Sequence, residues 1–229
     1  MSFIVKNTTI IHPFDLLAPH SCRGCGRIGN ALCDCCKNNI IINHENYCPN
    51  CKSLNPTGKC SKCQNLPPIF VADKRSELIG QLIHDYKYHS VRALSKSFAE
   101  IFDHILPLID GPVVVIPLPT INQHIRERGF DHTYLIAKKL AKMRSGWHIE
   151  KLLLRLNNSI QVGTDEKTRL KQAKNAYSVN PKISIDQNTT YLLLDDVWTT
   201  GASMKSALKK LRETGASKII IAVLAVNRL

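Results

Sequence analysis

The second half of the chain alternates helix-like and strand-like patterns of apolar residues. Positions 77–90 and 91–108 carry apolar side chains three or four residues apart, the spacing of one face of an α-helix. Two amphipathic helices are therefore predicted there. The residues of these faces are Leu78, Leu82, Ile83, Leu94, Phe98, Ile101, Phe102 and Ile105.

Short apolar runs mark the strands. Residues 113–116 read Val-Val-Val-Ile and precede Pro117, and such a run suits a strand buried on both faces of a parallel sheet. The pattern also predicts helices at 134–142 and 203–214, the latter ending before Gly215, and strands at 149–154, 191–194 and 218–226. This alternation indicates an α/β class, with an open, mainly parallel sheet and flanking helices.

The first part of the chain has a different composition. All nine cysteines lie between Cys22 and Cys63, with little apolar periodicity around them, and Pro67 and Pro68 follow. Consecutive prolines stiffen the backbone and disfavour helix before them. We therefore predict a Cys-rich module at 1–70 and an α/β domain at 71–229.

Eight of the cysteines form four C-x-x-C pairs, a pattern that predicts zinc. Each pair offers two thiolates from one tight turn, and two turns complete a tetrahedron of sulfurs. Consecutive pairs sharing an ion would form a duplicated ribbon, but pairing first with third and second with fourth has the same chemistry. One or two structural Zn²⁺ ions are expected, and redox or free thiols are the weaker interpretation. The predicted ligands are Cys22, Cys25, Cys33, Cys36, Cys48, Cys51, Cys60 and Cys63, which leaves Cys35 over.

Two roles are open for this module. Seventy residues with few apolar side chains bury too little surface to fold unaided, so metal would supply folding free energy. Basic residues in or beside the turns would also contact nucleic acid or a partner. These are Arg23, Arg27, Lys37, Lys52, Lys59 and Lys62.

The charge balance indicates anionic partners. The 229 residues include 31 Lys and Arg against 18 Asp and Glu, a formal charge of +13, while the 44% hydrophobic content is globular and excludes a fibre or a disordered chain. Nucleic acid, phosphorylated metabolites and anionic membrane surfaces fit this charge. Because neither a spanning segment nor a signal-peptide pattern is present, we expect a cytoplasmic protein, with peripheral attachment to the inner face of the membrane as an extension.

The most informative segment is 191–203. An apolar run leads to Asp195 and Asp196 at the carboxyl end of a predicted strand, where open α/β sheets bind ligands. Small and hydroxyl-bearing residues then open a helix, whose N–H groups and partial positive charge favour a phosphate. Two carboxylates would repel that phosphate unless they bind something else, and ribose hydroxyls fit that role.

This segment, LLLDDVWTTGAS, resembles the phosphoribosyl-diphosphate (PRPP) motif of type I phosphoribosyltransferases. The resemblance implies that Asp195 and Asp196, the candidate catalytic residues, contact the ribose 2′- and 3′-hydroxyls. Mg²⁺ would accompany PRPP. The resemblance also implies that the 5′-phosphate is held by Thr199, Thr200, Gly201, Ala202 and Ser203.

Further segments occur in the order found in the ComF family of competence proteins. The resemblance covers residues 20–229 and implies a double zinc-ribbon module before a type I phosphoribosyltransferase-like domain. The sequence departs from the family where Asp131 and His132 replace the usual Asn-Gln after Arg-Gly-Phe. The matching segments are the Cys-rich module, Tyr86-Lys87-Tyr88, Ile116-Pro-Leu-Pro119, Arg126-Glu-Arg-Gly-Phe130, Gln161, Arg169, Asn175 and Tyr177.

Other residues complete the predicted PRPP site. Leu118 and Pro119 precede a helix that carries Arg126 and Arg128, so they would surround the pyrophosphate end, and Lys87 would add a positive charge. By the resemblance, polar residues 156–169 form a loop over the site, with Gln161 and Arg169 as candidate contacts. No histidine shows metal-ligand spacing, and none is assigned any chemistry.

Two function classes follow. The resemblance implies a competence protein that handles single-stranded DNA during DNA uptake and binds PRPP or a related nucleotide. It also implies DNA-uptake or recombination proteins as partners. The formal charge of +13 suits electrostatic binding to DNA. The alternative is an active phosphoribosyltransferase, in which Asp195 or Asp196 stabilises the charge that develops on ribose, although no segment that would read its base is identifiable. A PRPP-sensing regulator ranks last because no helix-turn-helix pattern is seen.

Overall fold

The computed structural model of the chain describes residues 20–74, 76–156 and 176–226. The strands are β1 (His20–Ser21), β2 (Ile28–Gly29), β3 (Ile69–Asp73), β4 (Val113–Pro117), β5 (Trp147–Ile149), β6 (Leu153–Arg155), β7 (Tyr177–Val179), β8 (Thr190–Trp198) and β9 (Ile219–Val226). The helices are α1 (Asp34–Ile42), α2 (Glu77–Tyr88), α3 (Leu94–Ile105), α4 (Asn122–Arg128), α5 (His132–Met143) and α6 (Ala202–Glu213).

The main sheet has five parallel strands in the order β3-β9-β8-β4-β5. Side chains alternate between its faces, as a pleated strand requires. In β8, Leu192 and Leu194 join the core formed with α2, α3 and α5, while Tyr191 and Leu193 join the core beneath α6. Both faces are thus covered by apolar packing, and the predicted α/β fold class is confirmed.

Two strand predictions need correction. The expected strand at 149–154 is wrong, because polar Glu150 and Lys151 separate β5 from β6, and β6 pairs antiparallel with β7 outside the main sheet. The strand at 191–194 is longer than expected. Its pairing with β4 ends at Leu194, but β9 continues beside it as far as Trp198.

Local capping sets the start of two helices next to the site. The Ser76 side chain accepts a hydrogen bond from the N–H of Ile79 at the start of α2. Asp131 does the same for Tyr134 at the start of α5. Side-chain acceptors at this position satisfy N–H groups that have no partner within the helix.

The Cys-rich segment packs against the sheet domain. Cys22, Leu32, Cys33 and Ile40 are buried in the same core as α2 and α3. The strand β3 follows the last cysteines directly and forms one edge of the main sheet. Within the described ranges, no helix combines the length and apolar character needed to cross a membrane.

Candidate functional site

The cysteine pairs meet in two clusters. Cys22, Cys25, Cys33 and Cys36 bring their sulfurs together in the first, and Cys48, Cys51, Cys60 and Cys63 do so in the second. Consecutive pairs therefore share a site, and the crossed pairing is not the one adopted. The Sγ–Sγ distances of 3.7 Å for Cys25–Cys33 and 3.4 Å for Cys51–Cys60 lie near the roughly 3.8 Å edge of a tetrahedron with 2.3 Å bonds.

The surroundings of one sulfur in each cluster favour the thiolate, the form that binds zinc, whereas burial raises the pKa of Cys36 and of Cys48. Burial raises the pKa of Cys22, but backbone N–H groups, including those of Cys33 and Gly24, outweigh it and lower this pKa to about 6. The Ser53 hydroxyl, 2.9 Å from the Cys51 sulfur, lowers the pKa of that thiol to about 6. Both clusters fit Zn²⁺ by donor type and spacing.

The acidic pair lies at an edge where neighbouring strands end at different points. Beyond Pro117 the chain leaves the sheet, and the N–H of Leu118 makes a last 2.8 Å bond to the carbonyl of Leu194. Asp195 and Asp196 follow in β8, still supported by β9 on the other side. Both carboxylates therefore lie beyond the end of β4, at the carboxyl edge of the sheet.

An ammonium group and an imidazole nitrogen hold the Asp196 carboxylate in place. The Lys87 ammonium of α2 lies 2.5 Å from Asp196 Oδ2, and Nε2 of His132 lies 3.0 Å from the same atom. Burial raises the pKa of Asp196, but His132 and Lys87 outweigh it and hold that pKa well below its usual range. In contrast, burial and the neighbouring Asp196 charge raise the pKa of Asp195 well above normal.

The contact of His132 with Asp196 was missed by sequence reasoning. The Arg128 guanidinium, which can only donate, lies 3.1 Å from its Nδ1, so that nitrogen accepts and Nε2 carries the proton that faces Asp196. Tyr86 fixes the backbone here by donating a 2.8 Å bond to the carbonyl of His132. The departure from the family at 131–132 was the available signal: Asp131 caps α5, and His132 reaches the acidic pair.

The predicted phosphate loop lies directly after β8. Gly201 has φ +73°, and a side chain there would overlap the ring of buried Trp198, so the position requires glycine. Thr199, Thr200 and Ser203 are exposed around it, and Ala202 begins the 12-residue helix α6. The loop thus presents hydroxyls and a helix N-terminus at the same edge as the acidic pair.

The predicted pyrophosphate region is assembled only in part. Pro119 is half-buried, and its carbonyl accepts a 3.4 Å bond from Arg155, a residue that was not predicted. Arg128 faces His132, whereas Arg126 is exposed on α4. Gln161 and Arg169, and nearly all of the predicted loop at 156–169, lie outside the described residues.

Similar proteins include two competence proteins, while no protein-family model matches the chain. Competence protein ComFC of Bacillus subtilis is 29% identical over 125 residues, which is 55% of this chain and 48% of that protein. Competence protein F of Haemophilus influenzae is 25% identical over 86% of this chain and 92% of that protein. The chain thus spans about half of the Bacillus relative, and the predicted similarity to ComF competence proteins is confirmed.

Solved structures similar to this chain include two enzymes of low sequence identity. One is the allosteric regulatory enzyme of purine biosynthesis, with 13% identity, a TM-score of 0.41, and coverage of 61% of this chain and 29% of that one. Another is Trypanosoma cruzi hypoxanthine phosphoribosyl transferase, with 14% identity, a TM-score of 0.39, and coverage of 62% and 67%. The fold class rests on the strand order and flanking helices themselves.

Proposed function

We propose that this chain, a relative of the ComF competence proteins, serves natural transformation in the cytosol by binding PRPP at the edge of its sheet and single-stranded DNA on its basic surface. The observation that carries the proposal is the meeting of an acidic pair, Asp195 and Asp196, with the helix-opening loop at Gly201. One edge then offers acceptors for hydroxyls and donors for a phosphate.

The loop that opens α6 suits the phosphate of a ribose phosphate, and the acidic pair suits its ribose hydroxyls. The 5′-phosphate would bind the exposed hydroxyls of Thr199, Thr200 and Ser203 and the N–H groups at the start of α6. The ribose hydroxyls would donate to Asp195 and Asp196. Leu118, Pro119, Arg126 and Arg128 would line the pyrophosphate side, with Mg²⁺ neutralising that group when it is bound.

Lys87 would reduce the electrostatic repulsion between the acidic pair and an anionic ligand. A buried carboxylate beside a phosphate dianion repels it strongly in a medium of low dielectric. The 2.5 Å contact with Lys87 cancels the charge of Asp196 while leaving Asp195 to accept hydrogen bonds. In this proposal Lys87 neutralises Asp196 and also attracts the anionic ligand.

A groove between α6 and the second cysteine cluster would bind the DNA backbone. It is lined by three cations and one carboxylate, together with an amide and two leucines: Lys205, Lys209, Arg212, Glu213, Asn65, Leu66 and Leu208. The Arg212 guanidinium donates a 2.9 Å bond to the carbonyl of Asn65, which fixes the two sides relative to each other. Clustered cations along a groove favour sequence-tolerant binding to phosphates.

An active phosphoribosyltransferase is the second candidate, and the same acidic pair favours it. Carboxylates beside the ribose would stabilise positive charge that develops when the bond to pyrophosphate breaks. The two candidates differ in one observable, which is turnover in the presence of a nucleobase.

Calorimetric titration of the zinc-loaded protein with PRPP and Mg²⁺ tests the ligand. We expect saturable binding that becomes at least about tenfold weaker in Asp195→Asn/Asp196→Asn, because each amide replaces one acceptor oxygen with an NH2 group that can only donate. Asp110→Asn is the matched control, since Asp110 is exposed just before β4, at the opposite edge of the sheet. Equal PRPP affinity in the double variant would remove the proposed site, and base-dependent pyrophosphate release would establish the second candidate.

Fluorescence anisotropy with a labelled oligonucleotide at several salt concentrations tests the DNA surface. We expect Lys205→Ala/Lys209→Ala/Arg212→Ala to weaken binding and to flatten its salt dependence, because phosphate contacts release counterions. The triple variant Lys138→Ala/Lys139→Ala/Lys142→Ala removes the same charge from α5 and should have the smaller effect. Equal losses in both triple variants would show that net charge alone, and not this groove, drives binding.

A further inference from the structure

A group of three potential metal ligands lies at the end of α2, away from the cysteine clusters and the acidic pair. His84, Asp85 and His89 place one ligand atom each within 4.8 Å of one another. Both histidine side chains are more than half exposed, whereas Asp85 is buried. An ion can therefore reach the group from solvent and meet a carboxylate that is already desolvated.

The distances within the group match a metal site. Asp85 Oδ1 lies 2.8 Å from His89 Nδ1, in a hydrogen bond that an ion would replace, and 3.8 Å from His84 Nδ1. Ligand atoms at bonds of about 2.0–2.1 Å around a tetrahedral ion are roughly 3.3 Å apart, and the two distances fall on either side of this value. The imidazole rings lie edge to face with centroids 5.0 Å apart, and each ring has a nitrogen within 4.8 Å of the other ligand atoms.

The backbone and a neighbouring arginine hold the group in place. The N–H groups of His89 and Val91 both donate to the carbonyl of Asp85, and Ser90 between them adopts φ +53°. The Arg23 Nε donates to Asp85 Oδ2 at 2.9 Å, which leaves Oδ1 directed at the histidines. A carboxylate oriented by an outer hydrogen bond is typical of metal sites.

The adjacent lysine leaves the group accessible to a cation. Lys87, in the same turn of α2, is directed at Asp196 by its 2.5 Å contact and so does not occupy this site.

We propose that His84, Asp85 and His89 form a third metal site, selective for a late first-row divalent ion such as Co²⁺, Ni²⁺ or Zn²⁺. Two imidazoles and one carboxylate suit these ions better than Mg²⁺ or Ca²⁺, which prefer oxygen ligands. Three protein ligands leave at least one position for water. Through Arg23, which lies between two ligands of the first cysteine cluster, an ion here would also stiffen the contact between that cluster and α2.

Titration of the full-length protein with Co²⁺, after both cysteine clusters have been loaded with zinc, tests this site. We expect one further equivalent per chain, with a visible spectrum that lacks the thiolate-to-cobalt charge-transfer band. His84→Ala/His89→Ala should abolish this equivalent while the zinc content stays unchanged. His104→Ala/His148→Ala is the matched control, because it removes two exposed histidines elsewhere and should retain the equivalent.

Three outcomes would overturn the site: no additional equivalent in the unaltered protein, an equivalent that survives in His84→Ala/His89→Ala, or one that shows the thiolate band and so marks zinc displacement. Asp85→Asn gives a second, independent readout. It should weaken Co²⁺ binding by at least about tenfold, since it removes the anionic ligand. Unchanged affinity in Asp85→Asn would contradict the proposed coordination.

Discussion

The Cys-rich segment and the parallel sheet are stabilised by different interactions. The sheet is covered on both faces by apolar side chains, and residues such as Leu192 and Leu193 have no exposed surface. Around the cysteines fewer apolar side chains are buried, although Leu32 and Ile40 join the core shared with the sheet domain, and the turns converge on two groups of four sulfurs. The fold of one region follows from burial of apolar surface, whereas zinc bound by these sulfurs would supply much of the folding free energy of the other.

The two cysteine clusters themselves differ in their connection to the sheet domain. Cys22 and Cys33 of the first cluster belong to the core shared with α2 and α3. The second cluster contacts α6 at its surface, for example through the 2.8 Å bond from Lys205 to Asn50. The two clusters have the same four-cysteine ligand set, but loss of a ligand should affect the sheet domain more when it occurs in the first cluster.

Loss of a ligand from the first cluster should have the largest effect. Structural zinc contributes about 10–16 kcal/mol of apparent binding free energy in small zinc domains, and Cys33 is also buried in the shared core. We expect Cys33→Ser to lower the zinc content by one ion per chain and to unfold the first cluster, with faster amide exchange spreading into α2 and α3. Zinc analysis and hydrogen exchange measure both effects.

Cys35→Ser is the matched control for this change. Cys35 is exposed, belongs to neither cluster, and lies two residues from Cys33. Its substitution should leave zinc content and exchange unchanged. Two zinc ions per chain in Cys33→Ser would refute the assignment of Cys33 as a ligand. Faster amide exchange that stays within the first cluster would mean that the shared core does not couple this cluster to α2 and α3.

How much the sequence could reveal depended on whether a contact is local. The C-x-x-C spacing and the run from Leu192 to Gly201 are local features, and they predicted the clusters and the position of the acidic pair. The contact of His132 with Asp196 joins positions 64 residues apart, and it forms through the packing of α5 on β8. No local sequence pattern predicts such a contact. The separation of β5 from β6 likewise depends on a partner strand, β7, that comes later in the chain.

A smaller effect is expected within the sheet domain, at the loop that opens α6. Gly201→Ala would place a methyl group against the Trp198 ring in a left-handed backbone conformation, at a cost of about 1–3 kcal/mol. We expect a lower urea midpoint and weaker PRPP binding, with unchanged zinc content. Gly146→Ala is the control, because Gly146 has a similar φ of +76° but no atom within 4 Å of an added side chain. It therefore shows the effect of backbone strain without the clash. If both variants lower the urea midpoint equally, contact with Trp198 plays no part.

The smallest effect should come from the ion pair that links the two regions. Lys37 of α1 lies 2.6 Å from Glu100 of α3, and its side chain is 13% exposed. Burial lowers the pKa of Lys37, but hydrogen bonds and charges from Asp34 and Glu100 outweigh it and raise this pKa. The pair therefore stabilises the fold fully below the unfolded lysine pKa of about 10.4 and loses this contribution as pH rises through the higher folded value.

Glu100→Gln should cost about 1 kcal/mol near neutral pH, and the difference from the unaltered protein should shrink in alkaline solution. Urea unfolding followed by zinc release and by the fluorescence of Trp147 and Trp198, both in the sheet domain, reports the two regions separately. Glu213→Gln is the control, since its partners Lys209 and Lys210 lie on the same helix. If only zinc release shifts in Glu100→Gln, the Cys-rich segment unfolds independently. If both signals shift together, the shared core makes the two regions one cooperative unit despite their different stabilising interactions.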